Sequence, residues 1–229
     1  MRFRNRFTAS VAAVALAATS AVTTGGVAGA APMTASVTVV HAIPNTPVTV
    51  YANGAVLIKD FKFGNVVGPV SLKPATYALA VRPFGASATS KPILSASVTV
   101  TAGENATVVA NLTSAGKPTL NVFGNPTTSI PMGDARVIVR HVAEAPAVDV
   151  LAGAATSKPL ISNLINPKSA TLVVPASTYN LSVFVHGMTT KPVIGPAKFN
   201  FLAGKTYIIY AIGSATANPS TLTVAVQSY

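Results

Sequence analysis

Three side chains lying close in the chain could do chemistry: His141, Glu144 and Asp149. An imidazole beside two carboxylates is material for a divalent-metal site. It is equally material for a hydrolase whose general acid and base are His141 and Asp149. The opposing reading is structural. In a proline-bracketed bend, short acidic side chains accept backbone N–H bonds, and the histidine is a satisfied strand-end residue. The chain bears on the choice because it writes this stretch twice. Ser36–Gly54 reads SVTVVHAIPNTPVTVYANG, and Ala135–Gly153 reads ARVIVRHVAEAPAVDVLAG. His41 and His141 stand 100 residues apart, as do Val48 and Val148. The first copy keeps histidine and bend without a carboxylate, so the shape survives where the chemistry does not. A structural bend is expected, with no catalytic, cofactor or metal-ligating residue.

Other chemistries lack their residues. There is no Gly-x-Ser-x-Gly elbow, no His-Glu-x-x-His and no phosphate-cradling glycine loop. With no cysteine, thiolate zinc, disulfides and thiol nucleophiles are excluded. A paired-carboxylate glycosidase would need two of Asp60, Glu104, Asp134, Glu144 and Asp149 to converge, and the first three fall at predicted turns or in a linker. His186 reads as a loop residue ending the strand that carries Tyr179. Tyr77 and Tyr179 read as sandwich-corner tyrosines, ring inside and hydroxyl capping a loop. Without Trp, an exposed sugar-stacking platform is hard to build. A non-catalytic protein is expected.

The elements that position these residues are strands. Charged residues are 9% of the chain and half of it is apolar, chiefly Val, Ala, Ile and Leu. Helix surfaces cannot be coated from so few Glu, Gln and Lys, whereas β-branched side chains suit a pleated surface. Tyr77, Leu79 and Val81 alternate cleanly, and Asn53-Gly54 is a strong hairpin signal. The later parts repeat in order. Pro175–Tyr179 mirrors Pro74–Tyr77 with one extra residue, Lys191-Pro192 mirrors Lys91-Pro92, and Ala203-Gly204 mirrors Ala102-Gly103. Seven or eight short strands per copy predict an all-β protein of two tandem β-sandwich domains, immunoglobulin-like or transthyretin-like, after a signal peptide. The boundaries expected are 1–30 for the signal peptide, 34–125 for the first sandwich, 126–133 for the linker and 134–229 for the second sandwich.

Arg2, Arg4 and Arg6, the apolar run Ala9–Val22 and Ala28-Gly29-Ala30 form the pattern of a cleaved export signal. No later run approaches the ~18 apolar residues of a membrane span. Beyond residue 30, thirteen Lys and Arg face five acids, a balance of +8. The basic residues are dispersed, which suits solubility. Excess positive charge outside a cell also suits an anionic cell-wall polymer or another envelope protein as partner. Nucleic acid is not expected without a basic aromatic platform. The expected location is secreted or extracellular, loosely wall-associated at most.

The repeated parts resemble the secreted bacterial domain-of-unknown-function family 4397. Its members run a strand into a His-Ala-Ser-Pro-Asp-Ala-Pro-like bend, then Val-Asp-Val-Tyr and a glycine turn. That pattern falls on His41, Ala42, Pro44, Asn45, Pro47, Val48, Val50, Tyr51 and Gly54, and again on His141, Glu144, Pro146, Val148, Asp149, Val150 and Gly153. Asn45 and Thr49 stand where the family has acids, and each bend is about one residue short. The resemblance implies an exported sandwich-like module, present twice, and no particular activity.

Overall fold

The computed structural model describes residues 34–153 and 157–229. The expected signal peptide lies outside them. The described residues fall in one compact unit, and all their regular structure is strand. The first half supplies β1 (Ala35–His41), β2 (Val48–Ala52), β3 (Ala55–Phe61), β4 (Val66–Leu72), β5 (Ala75–Pro83), β6 (Leu94–Val100), β7 (Asn105–Leu112) and β8 (Pro118–Gly124). The second supplies β9 (Asp134–His141), β10 (Val148–Ala152), β11 (Ile161–Leu164), β12 (Ser169–Pro175), β13 (Ser177–Val185), β14 (Ile194–Phe201), β15 (Thr206–Ile212) and β16 (Thr223–Ser228).

Each half is a sandwich of two four-stranded sheets. The orders are β4-β1-β7-β8 and β3-β2-β5-β6 in the first, and β12-β9-β15-β16 and β11-β10-β13-β14 in the second, so the two halves share one topology. Every pairing is antiparallel except β1 with β7 and β9 with β15. Lettered A to H, the sheets are DAGH and CBEF, an order different from the ABED and CFG of immunoglobulin constant domains. The hairpin at Asn53-Gly54 has φ of 50° and 82°, the left-handed pair that a two-residue type I′ turn requires.

The first sandwich closes over Val37, Val39, Val50, Phe61, Val81 and Val108. The second closes over Val137, Val139, Val150, Leu181, Phe201 and Ile209. Along β1, Val37, Val39 and His41 face this core, as period-two alternation demands. The opposite faces of β1, β7, β9 and β15 are not solvated. Val40 and Val109 of the first half pack against Ile138, Ile208, Tyr210 and Ile212 of the second in a third core between the sandwiches. That is why β7 and β15 carry apolar residues on both faces: strands buried on both faces lose the polar half of the alternation. The result is four stacked sheets, with the two mixed sheets in the middle.

Candidate functional site

The two strand-end histidines are wholly buried. In each copy Nε2–H donates to a backbone carbonyl five residues on: His41 to Thr46 at 2.8 Å and His141 to Pro146 at 2.9 Å. The bend following each strand is thus pinned to the strand it leaves. The Nδ1 atom of His141 accepts the Ala143 N–H at 3.4 Å, while His41 Nδ1 has no partner and its ring lies 5.5 Å from that of Phe61. Burial pushes both imidazoles below their ordinary pKa, against the weaker opposing pull of the carbonyl bond. Burial thus favours the neutral form of each ring, and each ring ties its own bend to its strand.

Asp149 does something different. Its side chain leaves β10 on the face turned away from the sandwich core and is almost fully buried. Oδ1 accepts the Asn163 N–H at 2.8 Å, the Ser162 hydroxyl at 3.1 Å and His186 Nδ1–H at 2.8 Å, and Oδ2 accepts the Gly187 N–H at 3.1 Å. Burial raises the carboxyl pKa, but the donors from Asn163, His186, Gly187 and Ser162 outweigh it and hold the group at about 2. Two of the four donors are backbone N–H groups, as the structural reading expects. They come from β11 and the β13–β14 loop, however, and not from the bend itself. The carboxylate is a clamp across three segments.

The clamp's histidine, His186, is the loop residue that the sequence predicts, and its partner is what the sequence does not show. It follows β13 and donates Nδ1–H to Asp149, with its side chain 45% exposed. Residues 37 apart carry no local signal. The comparison of the two copies does carry one: Thr49 stands at the place of Asp149, and Phe84 at that of His186. Both positions change together. The backbone bond that precedes each loop is nevertheless kept, Phe84 N–H to Pro47 O at 2.9 Å and His186 N–H to Ala147 O at 2.8 Å.

The three residues close in sequence are not brought together. His141 serves Pro146, Asp149 serves the clamp, and Glu144 Oε1 accepts the Thr216 hydroxyl at 2.9 Å rather than a backbone N–H. No hydrogen bond joins His141 to Asp149. The remaining carboxylates are dispersed too. Glu104 accepts Thr101 N–H and hydroxyl in its own turn, Asp60 sits 3.5 Å from Lys62, and Asp134 begins β9. Among the described residues no three His, Asp or Glu gather as metal ligands would. The corner tyrosines behave as expected, each hydroxyl donating four residues back: Tyr77 to Lys73 O and Tyr179 to Pro175 O, both at 2.9 Å.

A polar site unforeseen in the sequence lies between the sandwiches. Arg140 is 2% exposed, and its guanidinium donates to Tyr210 Oη at 3.0 Å, Gly124 O at 2.9 Å and Asn125 Oδ1 at 2.9 Å. Its Cζ lies 4.6 Å from the ring centre of Phe123, a cation–π distance. Tyr210 donates on to Gln227, and Gln227 donates to Thr38, so the network crosses the interface twice. Among the described residues no carboxylate lies within 4 Å of Arg140. Burial lowers its pKa, and Tyr210 offsets part of the effect. The group ties the two sandwiches together at their interface.

Three spaces differ in their lining. The gap in the first sandwich core, about 30 Å³ and lined by Val37, Val108 and Leu79 among others, is apolar and water-sized at most. A cleft of about 260 Å³ beside β4 and β16 is lined by Ser36, Thr38, Gln227 and Tyr229, several of which already bond to one another or to backbone. An open groove of about 450 Å³ lies between the β13–β14 and β15–β16 loops.

Comparison with curated proteins gave no match. A family model does match, over residues 35–151, which spans β1 to β9 and all but the last residue of β10. The match therefore includes both histidine bends and the clamp aspartate. On that match, covering just over half of the chain, the protein belongs to the family described as Domain of unknown function (DUF4397).

Proposed function

We propose that this is a non-catalytic structural or interaction module, exported to the exterior of a bacterial cell and built from two tandem copies of the family domain. The observation that carries this reading is where the reactive side chains are used. Both strand-end histidines are buried and bonded to backbone, and the most strongly held carboxylate is saturated by four donors. Groups committed to backbone and neighbouring side chains in this way hold the fold together. The repeated topology and the export pattern of residues 1–30 support the rest.

A second reading, attachment to an anionic envelope polymer, is favoured by one observation. Lys62–Asp60 is the only pairing of a Lys or Arg with a carboxylate within 4 Å among the described residues, so most of the positive charge is uncompensated. Exposed charges are screened beyond ~8 Å at physiological ionic strength. Pull-down with intact envelopes should therefore capture the protein at low salt and release it as salt rises. Replacing Lys59, Lys62 and Lys73 together by alanine should weaken capture more than any single replacement. Capture that persists in molar salt would argue for a specific glycan site. No capture at low salt would leave the charge as a solubility device.

A further inference from the structure

We propose that the groove at the loop end of the second sandwich binds an amphiphilic monoanion, an apolar chain bearing one carboxylate or phosphate head. This goes beyond the structural reading and does not depend on envelope attachment. The argument rests on where the two copies differ. The turn between β7 and β8 runs 113–117, whereas its counterpart between β15 and β16 runs 213–222 and forms a wall. Met188 stands two residues after His186, where Ala86 stands two after Phe84. Two carboxylates without counterparts in the first copy, Asp149 and Glu144, each pin one wall. Asp149 holds His186 and Gly187 at the base of the β13–β14 loop. Glu144 holds the longer loop, its backbone oxygen accepting the Ala215 N–H at 2.8 Å and its carboxylate the Thr216 hydroxyl. At these positions the first copy has Thr49 and Pro44, which cannot do either with a carboxylate.

Between the pinned walls, Val185, Met188, Val193 and Leu222 present an apolar surface, with Lys191 at the groove and Ser220 opposite. Met188 is 59% exposed, and its flexible thioether can shape itself around a ligand. No carboxylate lines the groove, and none lies within 4 Å of Lys191 among the described residues. Glu144 and Asp149 are committed to the walls, so Lys191 is the lone charge facing the space. An apolar surface with a single cation selects a single-headed anion with an apolar body. The volume of about 450 Å³ lies in the range of small-molecule sites, roughly 300–1,000 Å³.

The test uses the protein with ¹³C-methyl methionine, titrated with dodecanoate below its micelle concentration. Met188 should shift saturably, while Met132, fully exposed on the linker, should not. Neutral dodecyl maltoside, or dodecanoate with Lys191→Ala, should bind about fivefold more weakly, the scale of an exposed ion pair. Met188→Ser should cost about tenfold or more through lost apolar contact. Lys191 and Met188 are exposed, so the variants should melt as the parent does. Equal shifts at Met188 and Met132, or unchanged affinity in Lys191→Ala, would overturn the proposal. So would a response to anionic phospholipid vesicles without one to monomeric dodecanoate, or preferential displacement by an acidic apolar peptide.

Discussion

At the scale of single residues, the shift of the Asp149 carboxyl has consequences of definite sign. The carboxyl pKa in the fold, about 2, lies below the unfolded value of 3.8. Its contribution is therefore present in full above about pH 4 and is lost as pH falls through about 2. The size is on the order of 2 kcal/mol, less the share of half-exposed His186, which solvent screens. Asp149→Asn should cost about 1–3 kcal/mol near neutral pH, because an amide nitrogen would face donors and orphan at least one backbone N–H. The gap in melting temperature between parent and variant should narrow between pH 4 and pH 2. EDTA should move neither protein; a melting temperature that depends on metal and loses that dependence in Asp149→Asn would restore the metal reading. His41 and His141 were legible as structural because the chain writes their bend with and without acids. The clamp was not, since its two halves lie 37 residues apart and only their joint replacement by Thr49 and Phe84 betrays it.

At the scale of elements, the strands are legible wherever one face is wet. Tyr77, Leu79 and Val81 alternate with Thr76, Ala78 and Ala80 along β5, and the alternation names the buried face. It fails along β7 and β15, where ATVVANL and TYIIYAI are buried on both faces and period two no longer separates core from surface. Strand order is beyond reach for a related reason. Parallel pairing of β1 with β7 depends on contacts across some seventy residues, and no local pattern encodes it. The corner tyrosines, by contrast, follow from spacing alone: a ring facing inward places its hydroxyl over the turn four residues back. Tyr77→Phe and Tyr179→Phe should each lower stability by about 0.5–1.5 kcal/mol, with the low end expected because both bonds are solvent-exposed. Chemical denaturation of the two single variants should give similar losses. A loss above about 3 kcal/mol in either would mean that the ring, and not the hydroxyl, had been disturbed.

At the scale of the whole molecule, the repeat suggests two separable domains, and the core between the sandwiches argues that they are not energetically independent. Val40, Val109, Ile138, Ile208, Tyr210 and Ile212 are all at most 2% exposed, and each would face water if the halves were parted. Burying one such side chain is worth about 1.5–3 kcal/mol, so the interface is comparable with the net stability of a domain, about 5–15 kcal/mol. Arg140 adds specificity to this apolar surface. Its guanidinium sits on the second half, while Gly124 O, Asn125 and the Phe123 ring belong to the first half and its boundary. Parting the halves would leave those acceptors without their buried donor. Fragments 34–125 and 134–229 should each keep strand structure, because each retains its own sandwich core. Each should nevertheless melt well below the parent and self-associate through the uncovered face. Mixed in equal amounts, they should form a one-to-one complex whose melting temperature approaches that of the intact chain. Arg140→Ala in the second fragment should weaken that complex more than it destabilises the fragment alone, because most of its partners lie across the interface. Sedimentation and thermal melting of the fragments, separately and mixed, decide the matter. Two monomers that melt at the parent temperature and ignore one another would show that the interface core is incidental and that the linker alone joins the domains.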